Sequence, residues 1–287
     1  MSSIIDIHPH IVSPDTKKYP LDPLGGTQST WSTERPTTYD DLLRAMDEAG
    51  VAKAAIVHSS TAYGYDNSYV ADAVAAVPSR FTGVYSIDVL APDAVKTFDY
   101  WLGRGCTGMR LFTTGSTLPN QATFFADPKS YPFWEHAAAT NIPVCMQMKQ
   151  EGIPLLRQIM DKFPKVTILL DHLSRTPFED GPPYARAADF LALAKYKQVY
   201  LKITDQRHAQ DVGEGHPGDV LRQGDRHLRR RAHRLGIEFP QLDRNHEGDS
   251  DRGAEGIFVR QVERSGLDLR QDCAHTLSEP EGLIARR

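Results

Sequence analysis

Ile4-Ile5-Asp6-Ile7-His8-Pro9-His10 decides how the rest of the chain is read: an apolar run ends in two histidines one residue apart. In extended backbone, residues two apart project to the same face, so both imidazoles can converge on one point at the strand's carboxyl end. That spacing suits a metal site. The alternative is a pair of loop histidines beside the turn-forming Pro9, and the spacing alone leaves both open.

Working outward from this run, short β-type stretches alternate with helical patterns. Strands are expected at 3–9, 53–58, 81–87, 107–112, 143–148, 166–171 and 198–203. Between them lie amphipathic stretches such as Tyr39 to Ala49, with Leu42, Leu43 and Met46 at helical spacing, and Leu155 to Phe163, with Leu156, Ile159 and Met160. Strands separated by helices pair in parallel through right-handed crossovers, and continuous apolar strands have both faces covered. A doubly wound sheet and a TIM (β/α)8-type barrel both satisfy this. A doubly wound sheet usually carries a glycine-rich phosphate loop after its first strand, whereas this chain has its two histidines there, so the α/β barrel is favoured.

Polar residues stand where a barrel mouth needs them. His8 and His10 follow strand 1; His58, Ser59 and Ser60 follow strand 2; Arg110 lies in strand 4. Gln147 and Lys149 end strand 5, and Asp171 with His172 ends strand 6. Each has a plainer reading. His172 could be a satisfied core histidine, Arg110 could pair with Asp88, His58 could cap the rim, and His136 reads as surface or helix packing. Lys202 is a site cation at strand 7 or a solvated strand end, and nothing local decides.

The 287 residues, 40% hydrophobic and 24% charged, suffice for a large core. A formal net charge of -4 gives no general attraction to nucleic acid or anionic membrane, and no apolar run approaches a bilayer span. Met1-Ser2-Ser3 leads directly into the first strand, so a cytoplasmic location is expected. Cys106, Cys145 and Cys273 are odd in number and scattered, which indicates neither a disulfide framework nor a metal clip. Oligomeric state, a homo-oligomer included, is left open.

The two histidines, Gly108-Met109-Arg110-Leu111-Phe112 and Leu169-Leu170-Asp171-His172-Leu173-Ser174-Arg175 together resemble the amidohydrolase-related branch of the amidohydrolase superfamily. Tyr19-Pro20-Leu21-Asp22-Pro23-Leu24-Gly25-Gly26 and Asp66-Asn67-Ser68-Tyr69-Val70-Ala71-Asp72 are similar to the lactonases related to 2-pyrone-4,6-dicarboxylate hydrolase, 4-sulfomuconolactone hydrolases most of all. The resemblance covers residues 1 to 206. It implies a metal-assisted hydrolase opening a small anionic lactone in aromatic-compound catabolism. His8, His10 and His172 would hold or border zinc, with manganese as the alternative, and His172 would be catalytic. Arg110 would clamp a substrate carboxylate or sulfonate, with Ser59, Ser60, Tyr63 and Gln147 as further substrate contacts. Related barrels include metal-dependent decarboxylases, and an inactive remnant is a third reading.

The third reading arises because the chain changes character after Gln206. All eleven lysines precede residue 207, and fourteen of the twenty-two arginines follow residue 206. Arginines there are mixed with Asp, Glu and Gly and lack aromatic neighbours, which argues for a solvated segment of low order rather than a nucleic-acid-binding domain. Only Ile257-Phe258-Val259 is compactly apolar, so no eighth strand carrying a site residue is evident. Reverse-translated and read one nucleotide later, Arg234 to His246 permits AWASNFPSSTGT, similar to the family's strand-8 motif. Leu267 to Ser278 permits WIFGKTA, one free position, then TLYP, similar to its last helix. Residues from 207 onward are therefore expected to be read in a shifted frame, with 1–206 as an incomplete barrel and the outer edges of strands 1 and 7 left open. In the alternative frame the codons across Ile237-Glu238-Phe239 permit Asn or Ser but no Asp where the family usually has an acid.

Overall fold

A computed structural model describes residues 4–181, 183–202 and 258–260 of the 287. Seven strands follow one another in parallel: β1 (Ile4–Asp6), β2 (Val51–Val57), β3 (Phe81–Tyr85), β4 (Cys106–Phe112), β5 (Val144–Gln147), β6 (Ile168–Leu170) and β7 (Val199–Leu201). The connections carry α1 (Thr30–Glu34), α2 (Tyr39–Ala49), α3 (Ser60–Tyr63), α4 (Ser68–Ala76), α5 (Ala94–Leu102), α6 (Tyr131–Thr140), α7 (Ile153–Lys162) and α8 (Ala188–Leu191). All seven expected strands are present: β2 and β4 begin earlier than expected, by two residues and by one, and the other five are shorter than expected.

Local chemistry explains the boundaries. Thr38 and Asp41 form a reciprocal capping box at the start of α2, satisfying two otherwise orphaned N–H groups. Gly50, in the left-handed region at φ 68°, stops the helix and turns the chain into β2. Leu42 and Met46, one helical turn apart, carry its buried face.

Strands β3 and β4 are buried along their whole lengths, as parallel strands covered on both faces must be. Ala54, Ile56, Met109, Leu111, Val144 and Met146 pack outward into the main core beneath the helices. Their alternates Ala55, Val57, Val84, Cys145 and Leu169 form a second, inner cluster, capped by Tyr200. Both described cysteines, Cys106 and Cys145, are buried free thiols.

The sheet is curled. In strand order β1 and β7 stand six spacings apart, roughly 29 Å if the sheet were flat. Yet Lys202, just beyond β7, brings its Nζ to 3.3 Å from Nδ1 of His8, just beyond β1. That closure is the geometry of a (β/α)8-type barrel.

An eighth strand, β8 (Phe258–Arg260), pairs antiparallel with β1, Ile4 opposite Arg260 and Asp6 opposite Phe258. The outer edge of β1 is therefore paired, which corrects the expectation that it stands open. The strand comes from the one compact apolar run of the tail, but it runs opposite to the parallel strand a (β/α)8 barrel places there. No pairing joins β7 to β8 among the described residues. The rest of the Arg-rich stretch, with the shifted frame, the strand-8 acid and Cys273, lies outside the described residues. Among the described residues no helix is long and apolar enough to cross a membrane.

Candidate active site

Strand alternation assembles the site. Arg110 alternates with the outward Met109 and Leu111 and so faces inward. Gln147 shares the parity of the inward Cys145, Asp171 that of Leu169, and Lys202 that of Tyr200. All four meet at the carboxyl ends of β4 to β7. Arg110 Nε donates to Asp171 Oδ2 at 2.9 Å, and its Nη2 donates to Gln147 Oε1 at 3.1 Å. Lys202 Nζ lies 3.2 Å from the other carboxylate oxygen, Asp171 Oδ1. Asp171 thus replaces Asp88, the partner considered for Arg110 from sequence.

The relative exposures of Asp171, Lys202 and Arg110 are 1%, 1% and 4%, so these charges face one another with little water between them. Burial pushes the Asp171 carboxyl up, but Lys202, His8 and Arg110 together outweigh it and hold it well below the usual carboxylate range. Burial pushes Lys202 down, and Asp171 more than restores it, leaving the ammonium charged. One carboxylate against two cations leaves a buried positive excess, an environment that favours an anion.

Three imidazoles border this cluster. The His8 ring lies 5.0 Å, centroid to centroid, from both His10 and His172. All three stay neutral at ordinary pH: burial, then Arg110, lowers His10 to about 3, burial lowers His172 to about 4, and burial holds His8 well below its usual value. His10 Nδ1 is 2.8 Å from the Val57 carbonyl, to which it donates, so its Nε2 presents a lone pair. His8 Nε2 is buried without a partner among the described residues. The His8 tautomer follows its neighbours. If Nδ1 accepts from Lys202, Nε2 carries the proton; if Nδ1–H faces Asp171 Oδ1, 3.6 Å away, Nε2 is free to ligate.

The donor chemistry fits a divalent transition metal: neutral imidazole nitrogens, one buried and unpartnered. Among the described residues no three His, Cys, Asp or Glu donors are yet gathered closely enough to enclose an ion.

The family model for amidohydrolases matches residues 5–250. The chain belongs to the amidohydrolase family. Solved structures similar to this amidohydrolase include a probable 2-pyrone-4,6-dicarboxylic acid hydrolase from Acinetobacter baumannii with citric acid bound. It is 19% identical at a TM-score of 0.57, over 71% of this chain and 70% of that one. A putative 2-pyrone-4,6-dicarboxylic acid hydrolase from Pseudomonas putida is 21% identical at a TM-score of 0.60, over 82% and 78%. An amidohydrolase from Burkholderia multivorans with bound zinc is 16% identical at a TM-score of 0.59, over 82% and 79%. At these identities the likeness establishes the fold. No curated protein is significantly similar to the chain.

The β2 side of the amidohydrolase's mouth is built differently. Ser59 Oγ donates to the Ile11 carbonyl at 3.0 Å, Ser60 Oγ to Ser86 Oγ at 3.2 Å, and Tyr63 OH accepts from the Ser13 N–H at 2.7 Å. His58 Nε2 is 2.9 Å from the Gly64 carbonyl. The expected substrate hydroxyls are therefore near the mouth but committed to holding the β1 and β2 loops together. His136 pairs with Asp99 at 2.7 Å on the helical surface, as expected.

Two residues enter the site that sequence reasoning did not place there. Lys202 was undecided because its partners lie across the barrel, although its position at the end of an alternating apolar run marked it. Trp31, on α1, tilts its ring at 32° against His10 with centroids 5.4 Å apart, and no local pattern announces that contact.

Proposed function

We propose that this amidohydrolase opens a small anionic lactone of the muconolactone kind, by metal-assisted hydrolysis, in aromatic-compound catabolism. The observation that carries this reading is the buried positive excess of Arg110 and Lys202 over Asp171, set beside three neutral imidazoles. Citric acid in the Acinetobacter structure and zinc in the Burkholderia structure are ligands of the two kinds such a site suits.

In this reading Arg110 binds a carboxylate or sulfonate of the substrate through the N–H groups that Asp171 and Gln147 leave free, while those partners hold the guanidinium plane. Ser59, Ser60 and Tyr63 shape the opposite wall. His8, His10 and His172 would hold zinc or manganese, which supplies Lewis acidity to the carbonyl and acidity to water. His172, less buried than His8, also handles the proton: water adds to the lactone carbonyl carbon, the ring C–O bond breaks, and the departing alkoxide is protonated. One water is consumed per ring opened.

A panel of carboxylated and sulfonated muconolactones, assayed with Zn²⁺ or Mn²⁺, tests the proposal on this chain and on a version whose residues beyond 206 are restored to the alternative frame. Ring opening with uptake of water oxygen is expected, largest in the restored version. Release of CO2 from an aromatic acid, without lactone opening by either version, replaces it with the decarboxylase reading. Metal analysis adds a direct check on His8. A full zinc equivalent retained by His8→Ala removes that residue from the metal site.

A further inference from the structure

Trp31 lies against the ring of His10, centroids 5.4 Å apart and planes at 32°. The other contacts of His10 leave one motion open. Its Nδ1–H is held at 2.8 Å by the Val57 carbonyl, and the His8 ring stands at 88° to it with centroids 5.0 Å apart. One hydrogen bond fixes where Nδ1 sits, but the imidazole can still turn about the N–H···O line and carry Nε2 out of aim. A flat ring laid against the imidazole face blocks that turn.

Such a stop needs a firm support, and the chain builds one. The helix that carries Trp31, α1, is five residues long, too short to persist alone, and no side chain caps it. A chain of hydroxyls holds it instead. Thr61 Oγ1 is 2.7 Å from Ser29 Oγ, which donates to Ser32 Oγ at 2.9 Å, and that hydroxyl donates to the Ser29 carbonyl at 2.9 Å. The Ser29 N–H donates to the Thr61 carbonyl at 3.2 Å, and the Val12 N–H to the Thr37 carbonyl at 2.8 Å, which closes the segment at its base. Ser29, Ser32 and Thr61 are all buried, a cost that their mutual pairing offsets. What they fix in place is the turn bearing Trp31, which also packs against the main core.

We propose that Trp31 is a positioning residue for the reaction: the Ser29–Ser32–Thr61 hydroxyl chain anchors α1 to the loop after β2, and the indole holds the His10 imidazole plane so that Nε2 stays aimed at one point. The proposal rests on the metal-assisted reading for its effect on catalysis but not for its effect on His10 itself. A ligand oriented before the metal arrives binds it more tightly than one that must be ordered.

The test uses the full chain with Trp31→Leu, which keeps an apolar body but no flat face, and Trp31→Phe, which keeps the face. NMR of the histidine ring nitrogens reports the His10 tautomer, with His10→Asn identifying its signals. In the parent and in Trp31→Phe, His10 should be a single Nδ1–H tautomer, whereas in Trp31→Leu the proton should divide between Nδ1 and Nε2. The zinc dissociation constant, measured by competition with a chromophoric chelator, should rise about 10-fold in Trp31→Leu and stay within about threefold in Trp31→Phe. At saturating zinc, kcat for lactone opening should fall by a similar factor in Trp31→Leu with KM within about twofold. Ser32→Ala, which loosens α1 without altering the indole, should reproduce part of each loss. A single Nδ1–H tautomer in Trp31→Leu, zinc bound as tightly by that variant as by the parent, or equal losses in Trp31→Phe overturn the proposal. A lower thermal midpoint with the tautomer unchanged marks a packing role and overturns it too. If lactones are opened and the His10 tautomer is indifferent to Trp31, the positioning fails and the lactonase reading stands. If no form binds zinc or opens a lactone, yet the tautomer divides in Trp31→Leu, the metal-assisted reading fails and the positioning of His10 stands.

Discussion

The two walls of the barrel mouth differ in how completely they satisfy themselves. On the β2 side, Ser59, Tyr63 and Asn67 meet backbone groups and Ser60 meets the Ser86 hydroxyl, no charge is buried among them, and His58 Nδ1 is the buried polar atom left without a described partner. On the β4 to β7 side, two cations share one carboxylate, His8 Nε2 and Ser174 Oγ lack described partners, and four residues sit in left-handed backbone. A folded chain tolerates unmet polar groups and strain only where something else repays them, and a ligand is the simplest candidate. The contrast is the support for the proposed reading, in which the second wall binds and reacts and the first positions.

The largest expected break in this contrast comes from Asp171→Asn. Removing the shared carboxylate leaves Arg110 and Lys202 buried and uncompensated, which should cost roughly 3–5 kcal/mol. Urea unfolding measures it, and a loss under about 1 kcal/mol would mean that water reaches the cluster. Lys202→Met, which leaves the Arg110–Asp171 pair intact, should cost clearly less.

Acid comes next. His58, His10 and His172 are neutral in the fold, with His58 lowered by burial from 6.5 to about 4. Between those values the unfolded chain binds more protons than the folded one, so stability is present above pH 6.5 and is lost as pH falls toward 4. His58 alone contributes about 3 kcal/mol to that loss. Unfolding midpoints at pH 7, 6 and 5 should fall steadily, and His58→Asn should flatten the slope. An unchanged slope in that variant removes His58 from the account.

Tyr63→Phe sharpens the comparison from the other wall. Deleting the hydroxyl orphans the Ser13 N–H and should cost about 1–2 kcal/mol of stability while kcat/KM stays within about threefold. The reverse pattern, unaltered stability with a tenfold drop in kcat/KM, would move Tyr63 back among the substrate contacts. The smallest effect has the opposite sign. Ser174→Gly relieves one left-handed residue and removes an unpartnered hydroxyl, so a gain of about 1 kcal/mol in thermal unfolding is expected.

Much of the architecture was legible because it is written in short-range pattern. Tyr39–Ala49 is a helix with the bounds its leucines and methionine imply, and all seven parallel strands lie at the expected apolar runs. His8, His10, Arg110, Gln147 and His172 were marked by standing at or near the ends of those runs. What they touch was not legible. Arg110 could as well have met Asp88, and the hydroxyls of Ser59 and Tyr63 could have faced a ligand instead of the loop after β1. Ion-pair choice depends on residues distant in sequence meeting across a curled sheet, as Arg110 and Lys202 both do with Asp171.

 The separations in sequence are 61 residues for Arg110 and Asp171 and 194 for His8 and Lys202.

The sequence by itself determined the strand and helix order, the alternation of faces along each strand, and the presence of histidines at the strand ends, since periods of 2 and 3.6 are properties of the local backbone. Only the tertiary structure decided that Lys202 belongs to the site, that Asp171 is the shared counter-ion, and that the chain turns left-handed through Arg175. Those outcomes depend on curling the sheet until β1 faces β7, and on contacts strong enough to hold a backbone conformation that the residues themselves disfavour.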